Sequence, residues 1–265
     1  MDLLFLPDQF IPIMQRYFME LSYKGTRYFG WQVQPGHLSV QEMLETRFSL
    51  FFRHPVAVTG AGRTDTGVHA GYYVAHFEAE TLPFSPSDTV HKLNRFLPSD
   101  IALRSIWAVP PDAHARFSAL SRTYTYTINR QKDPFTEETA WYCPFPLDMG
   151  LMNEAASVLP RHADFTSFCK LHSDVKTNLC RIEEAIWRED GSQLSFTITA
   201  DRFLRNMVRA IVGTLVNTGR GKLSVHDFEE ILLRKDRSAA GTSAPAHGLS
   251  LTGICYPGEL FAQRT

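Results

Sequence analysis

The sequence predicts an α+β fold built as two α/β subdomains, each with a mixed, largely antiparallel sheet. Three observations lead there. Segments that alternate apolar and polar residues outnumber those a simple β-α-β alternation would need. Asp190-Gly191, flanked by Arg181–Arg188 and Gln193–Ala200, is a hairpin signal. Between the strand patterns lie capped amphipathic stretches, such as the one opened by Ser39-x-x-Glu42.

Taken in order, Tyr17, Met19, Leu21 and Tyr23 alternate with Phe18, Glu20 and Ser22, which reads as a strand from Arg16 to Tyr23 ended by Lys24-Gly25-Thr26. After Ser39, the residues Val40, Met43, Leu44, Phe48 and Phe51 fall at helical spacing. A strand over Val56–Thr59 runs into the glycine-bracketed turn Gly60–Gly67, and a second strand, Tyr72–Glu80, leaves it. A helix over Asp88–Phe96 and a strand over Ile101–Ala108 complete the first half.

In the second half, Ser121–Asn129 places Tyr124 and Tyr126 on one face of a strand. Asp148 caps a helix that runs to Leu159. After the hairpin, a long helix is expected from Asp201 to about Thr218, with Leu204, Met207, Val208, Ile211, Val212 and Leu215 inward. Ser224 starts another helix, with Phe228, Ile231 and Leu232 inward, and the loop Ser238–Gly248 leads to a last strand near Leu249–Tyr256. The boundaries follow as a tail over 1–15, a first subdomain over 16–115 and a second over 116–265.

Composition narrows the function less than the pattern does. Apolar residues make up 44% and charged residues 21% of the 265, as in ordinary globular domains. Nothing approaches the run of about 18 apolar residues that a membrane span needs. Residues 1–13 are apolar but hold Asp2, Asp8, Pro7 and Pro12 and no base, unlike a secretory signal; Met14 is the natural start, or the segment is a loose tail. The net charge is −1, and without Asp2 and Asp8 the remainder bears +1, so no overall basic balance advertises a nucleic-acid partner. Cys143, Cys169, Cys180 and Cys255 form no C-x-x-C pair, which points to reduced thiols in a cytoplasm and away from a disulfide framework or a zinc site.

The densest chemistry is Gly60-Ala61-Gly62-Arg63-Thr64-Asp65-Thr66-Gly67-Val68-His69-Ala70. Its glycines allow close approach of a ligand or a second backbone, and strands on both sides would hold the loop rigid. Two readings of Asp65 stand: a carboxylate bonded to turn amides, or a catalytic group. The spacing matches neither a P-loop nor G-x-G-x-x-G before a helix.

This stretch resembles the G-R-T-D-x-G-V-H signature of the TruA family, the tRNA pseudouridine synthases. The resemblance runs from about Arg16 to Tyr256. It includes Tyr28-Phe29-Gly30-Trp31-Gln32, Ser39-Val40-Gln41-Glu42, His114-Ala115-Arg116-Phe117-Ser118-Ala119 and Asp164-Phe165-Thr166-Ser167-Phe168. Later segments are Met207-Val208-Arg209, Ile211-Val212-Gly213, Ala244-Pro245-Ala246 and Gly248-Leu249. Thr66 stands where the family often has alanine, and Cys180 where many relatives carry arginine, which puts an RNA contact there in doubt.

The resemblance implies the pseudouridine synthase fold, with a central RNA-binding cleft, and isomerisation of uridine in tRNA at positions 38–40 of the anticodon stem-loop. Breaking the C1′–N1 bond, rotating the uracil and rejoining it through C5 moves no electrons to an acceptor, so no cofactor and no metal are expected. Asp65 matches the family's catalytic aspartate, acting by attack at C1′ or by abstraction from C2′. Arg63 matches the arginine that fills the place of the extruded base, with a salt bridge to Asp65 as the bland alternative. Tyr124 matches the tyrosine that stacks on the target uracil, although a tyrosine on such a strand is usually core. Arg209 is expected to pair with Asp65 and keep it charged. Arg202 and Arg205, on the same expected helix, and Lys24, Arg27, Arg53, Lys92 and Arg95 are candidates for phosphate contacts. For His69, a supporting hydrogen bond is expected rather than catalysis. A cytoplasmic homodimer with tRNA lying across both subunits is implied. A binding module without turnover is the rival; a glycoside hydrolase would need a second carboxylate beside the turn.

Overall fold

The computed structural model describes residues 14–170 and 177–264; the segment 1–13 lies outside them, as does Lys176. Among the described residues nine strands form one sheet. They are β1 (Gln15–Tyr23), β2 (Thr59–Gly60), β3 (His69–Ala79), β4 (Ile101–Ala108), β5 (Ser121–Asn129), β6 (Trp141–Tyr142), β7 (Ile182–Asp190), β8 (Gln193–Ala200) and β9 (Leu249–Cys255). The main path is β4-β1-β3-β9-β5-β8-β7, with β2 on β3 and β6 on β5. Pairing is antiparallel except for β3–β9 and β5–β6.

The expected sheets of the two halves are thus fused edge to edge, through the short parallel pairing His69↔Ser250 and Ala70↔Leu251. Which edges join depends on contacts far apart in sequence, which strand periodicity does not encode. Tyr23, Ala70, Leu251 and Tyr124 become successive partners across β1, β3, β9 and β5. Gln15 already pairs with Ala79, so the fold begins one residue inside the expected tail.

Helix α1 (Val40–Phe52) is capped by Ser39, whose hydroxyl accepts the Glu42 amide, and it buries Val40, Leu44 and Phe48. Phe48 meets Phe77 of β3 edge-on at 5.2 Å. Helix α2 (Pro86–Asn94) is locked to β4 by Asn94, whose side chain exchanges both hydrogen bonds with the Leu103 backbone. Helices α3 (Met149–Ala156), α4 (Met207–Gly219) and α5 (Val225–Arg234) belong to the second half; Asp148 caps α3, and Ser224 with Asp227 forms a capping box on α5. Each such cap satisfies helix-end amides and stabilises by about 1 kcal/mol.

Two cores result. One gathers Phe18, Leu44, Phe48 and Phe77, and also takes Leu251, Ile254, Tyr256 and Leu260 from the end of the chain. The other gathers Phe196, Ile198, Met207, Ile211, Leu215 and Phe228. Tyr124 packs against both.

Three expectations need correction. The helix expected from Asp201 starts at Met207. Asp201 turns its carboxylate to the amides of Arg181 and Arg202, the Arg205 carbonyl accepts the Lys170 amide, and Asn206 sits left-handed at φ 65°, a conformation no α-helix contains. Arg202 and Arg205 therefore precede the helix and share no stripe with Arg209. The strand expected over Val56–Thr59 pairs only at Thr59–Gly60, because Glu45 accepts the Val58 amide. And β3 starts at His69, inside the glycine motif, rather than at Tyr72.

Candidate active site

The loop Gly60–Gly67 is gripped from several elements. The buried Thr64 hydroxyl lies 2.9 Å from the Tyr23 hydroxyl of β1. Thr64 also accepts the Trp31 amide through its carbonyl at 3.3 Å, and the Gly67 amide donates to Tyr28 at 3.3 Å. Tyr73 of β3 donates its phenol proton to the Gly62 carbonyl. Gly30 explains the aromatic segment that brings Trp31 into place: at φ +84°, a Cβ there would lie 2.3 Å from the Thr64 carbonyl oxygen. Only a residue without a side chain lets these two backbones meet.

Arg122 of β5 adds a second grip. Its guanidinium donates to the carbonyls of Ala61, Arg116, Ala119 and Asp201, at 3.2, 2.6, 3.1 and 2.9 Å. One side chain thus ties the glycine loop, the His114–Ala119 segment and the approach to α4 together. Periodicity hides this role, since an arginine at a half-buried strand position reads as an edge residue. The signal available was its parity with Tyr124 and Tyr126, which turns it toward the interior.

Held this way, Asp65 is 23% exposed and meets two arginines. Arg209 Nη1 lies 3.8 Å from Oδ2, and Arg205 Nε lies 3.8 Å from Oδ1. The two differ in how they are held. Arg209 is 21% exposed and its Nε donates to the Ala244 carbonyl at 2.8 Å, whereas Arg205 is 56% exposed. At 3.8 Å both are ion pairs without a direct hydrogen bond. The carboxylate oxygens remain open to a reacting atom.

The surrounding groups complete the floor. Tyr124 stands edge-on to Phe203 at 5.2 Å, and burial first, then the nearby charge of Asp65, push its phenol well above the ordinary tyrosine range. It stays a neutral ring. Tyr126 donates to the Pro245 carbonyl at 2.8 Å, which holds the Ala244-Pro245-Ala246 segment against β5. Buried His69 accepts the Gly25 amide at Nδ1 (2.8 Å) and faces the His247 carbonyl through Nε2 (3.0 Å). That assigns it the neutral Nε2–H tautomer, and burial pulls it below the ordinary histidine range. It ties the loop exit to the segment before β9.

Of the expected site residues, Asp65, Tyr124 and Arg209 come together. Arg63 stays exposed and makes no ion pair among the described residues, so it does not neutralise Asp65. Arg205 joins the site from the turn, a proximity that the expected continuous helix did not reveal. The Asp164–Phe168 segment does not reach the site; Ser167 donates to Ile231, and Asp164 pairs with Lys235, so both brace α5 and the loop that follows it. Cys180 is buried among apolar neighbours, with Leu179 and Arg181 exposed on either side of it. Lys24 and Arg27 are ion-paired with Glu138 and Asp100, beside a cavity of about 700 Å³ that none of Asp65, Tyr124 or Arg209 lines. Among the described residues, no group of three or more His, Cys, Asp or Glu could hold a metal ion, and no helix is long and apolar enough to cross a membrane.

A family model described as tRNA pseudouridine synthase matches residues 21–118 and 158–257. A protein of Bacteroides fragilis named tRNA pseudouridine synthase A is 53% identical over 249 residues, covering 94% of this chain and 99% of that one. A Porphyromonas gingivalis protein of the same name is 54% identical over 251 residues, covering 94% and 100%. One from Bacillus licheniformis, again of that name, is 40% identical over 240 residues, covering 89% and 97%.

Proposed function

This chain belongs to the tRNA pseudouridine synthase family, and from that premise we propose that Asp65 is the carboxylate through which it isomerises uridine to pseudouridine in tRNA. The observation that carries this role is the setting of Asp65: a loop locked by Tyr23, Tyr73, Gly30 and Arg122, with two arginines 3.8 Å from a carboxylate that no hydrogen bond occupies among the described residues.

The chemistry follows from charge. As the C1′–N1 bond opens, positive charge develops at C1′, and Asp65 either captures that carbon or takes the C2′ proton. The uracil leaves as an anion, turns on the flat neutral ring of Tyr124, and bonds to C1′ through C5, displacing the Asp65 oxygen from C1′ or, on the other route, as Asp65 returns its proton to C2′; C5 then gives up its proton and N1 takes one up. Arg209, fixed by Ala244, holds the carboxylate in aim, while exposed Arg63 is free to enter the space vacated by the flipped base, at a cost of a few kcal/mol for the extrusion. We assign the target to positions 38, 39 and 40 of the anticodon stem-loop. We further propose a cytoplasmic homodimer whose subunits together hold one tRNA, and a division of the chain near residue 115.

The test is Asp65→Asn, which keeps the shape of the loop. Tritium release from tRNA labelled at uridine C5 should fall below detection while tRNA binding persists. Release at the wild-type rate would remove Asp65 from the mechanism.

A further inference from the structure

The five candidate phosphate-binding cations of the first half, Lys24, Arg27, Arg53, Lys92 and Arg95, fall into two groups. Lys24 and Arg27 are neutralised by Glu138 and Asp100. Arg53, Lys92 and Arg95 are not: all three are exposed, make no ion pair among the described residues, and line one groove of about 540 Å³ at the C-terminal ends of α1 and α2. No carboxylate lines that groove. Its apolar part is aromatic. Phe84 and Phe96 are exposed, Phe51 lies beneath them with its ring edge-on to Phe96 at 5.6 Å, and the Lys92 ammonium stands 4.4 Å from the Phe84 ring centre.

We propose that this groove is a second RNA-docking surface, which takes phosphates and an unpaired base of the tRNA outside the part being modified. The proposal rests on the chain's action on tRNA. Rings that any base can stack on, ringed by unneutralised cations, are what sequence-tolerant RNA contact requires. A purely apolar partner would bury three charges with nothing to pair them. A second copy meeting here about a twofold axis would set the same three cations against one another.

Position supports the reading. Helix α1 starts beside the catalytic loop, where the Val40 and Gln41 amides donate to Gly30 and Trp31, and ends at Arg53. Its 13 residues span about 20 Å, at about 1.5 Å per residue, so the groove lies a helix length from the end of α1 that meets the catalytic loop. At roughly 3.4 Å per stacked pair that is about six base pairs, enough to leave a short stem-loop and reach the next part of the molecule.

The experiment compares Lys92→Glu/Arg95→Glu and, separately, Phe84→Ala/Phe96→Ala with wild type. Each is measured for binding to full-length tRNA and to the isolated anticodon stem-loop over a range of salt, with single-turnover rates and light scattering alongside. The charge-reversed protein should bind full-length tRNA at least about tenfold more weakly, with the slope of log affinity against log salt reduced by about two. Its saturated single-turnover rate and its affinity for the stem-loop should be unchanged. The ring variant should lose tRNA affinity with no change in slope. Unaltered tRNA affinity in both variants would overturn the proposal, as would equal losses on both RNAs. A changed oligomeric state with tRNA binding intact would make the groove a contact between chains, or with another protein. Wild-type protein that converts no uridine at all would instead defeat the activity reading, and the binding arms would still decide the groove.

Discussion

Arg209 reaches Asp65 from the other half of the molecule, with Nη1 3.8 Å from Oδ2 while its own Nε is tied to the Ala244 carbonyl at 2.8 Å. One guanidinium therefore spans loop, helix and the segment before the last strand. A lysine could supply the charge but not both contacts. Arg209→Lys should lower kcat by about 100-fold, the cost of a misplacement of about 1 Å, with KM for tRNA nearly constant. Single-turnover rates at saturating tRNA check this; a change in KM alone would show that Arg209 binds RNA and does not aim Asp65.

Arg122 should be more sensitive than its place on a strand suggests. Removing it leaves four carbonyls without their charged donor. Arg122→Met should destabilise by about 2–3 kcal/mol, since hydrogen bonds to charged groups contribute about that much. Arg122→Lys should recover part of the stability and less of the activity. Urea melts paired with turnover measure both.

Gly30→Ala tests the close approach. A methyl group would stand 2.3 Å from the Thr64 oxygen, at a φ of +84° that alanine avoids. The backbone term alone costs about 1–3 kcal/mol, and relief of the clash must move the Asp65 loop. Activity should therefore fall further than the melting temperature accounts for.

Acid should weaken the fold through its buried histidines. Burial, then the charges of His114 and Arg16, pull His76 down from 6.5 to about 4, and its Nδ1 must stay unprotonated to accept the Ala115 amide. The unfolded chain takes up this proton first as pH falls. The stabilisation by neutral His76 is thus full above pH 6.5 and is lost as pH drops toward 4. His76→Asn, which keeps an acceptor but does not titrate, should flatten the fall of the urea midpoint across that window.

Much of this was legible in the sequence, for reasons that can be named. Local rules located Ser39, Asp148 and Ser224 as caps and β1, β4, β5 and β8 as strands, because caps and period-two burial are written in neighbouring residues. The late start of α4 at Met207 was not legible: Leu204 continues the helical spacing of Met207, Val208 and Ile211, and only tertiary hydrogen bonds and a left-handed asparagine keep 201–206 out of the helix. Arg205 became visible beside Asp65 only with that turn. The resemblance pointed at Asp65, Tyr124 and Arg209, while periodicity alone would have filed Tyr124 as core. Arg122 shares the parity of Tyr124 and Tyr126, but its role was not legible, because four carbonyls from three segments meet only in three dimensions.

The joint between β3 and β9 has a consequence for synthesis. Among the described residues the last strand in chain order, β9, sits in the middle of the sheet, and it brings His247 against His69 and Leu251 against Ala70. A chain still emerging from the ribosome lacks the strand that joins the two halves of the sheet, and the part of the first core that follows it, until Leu249 and the residues beyond are free. Until that strand is free, nascent protein should therefore stay inert toward the RNA that the ribosome itself is using, and competence should arrive with it in a single step.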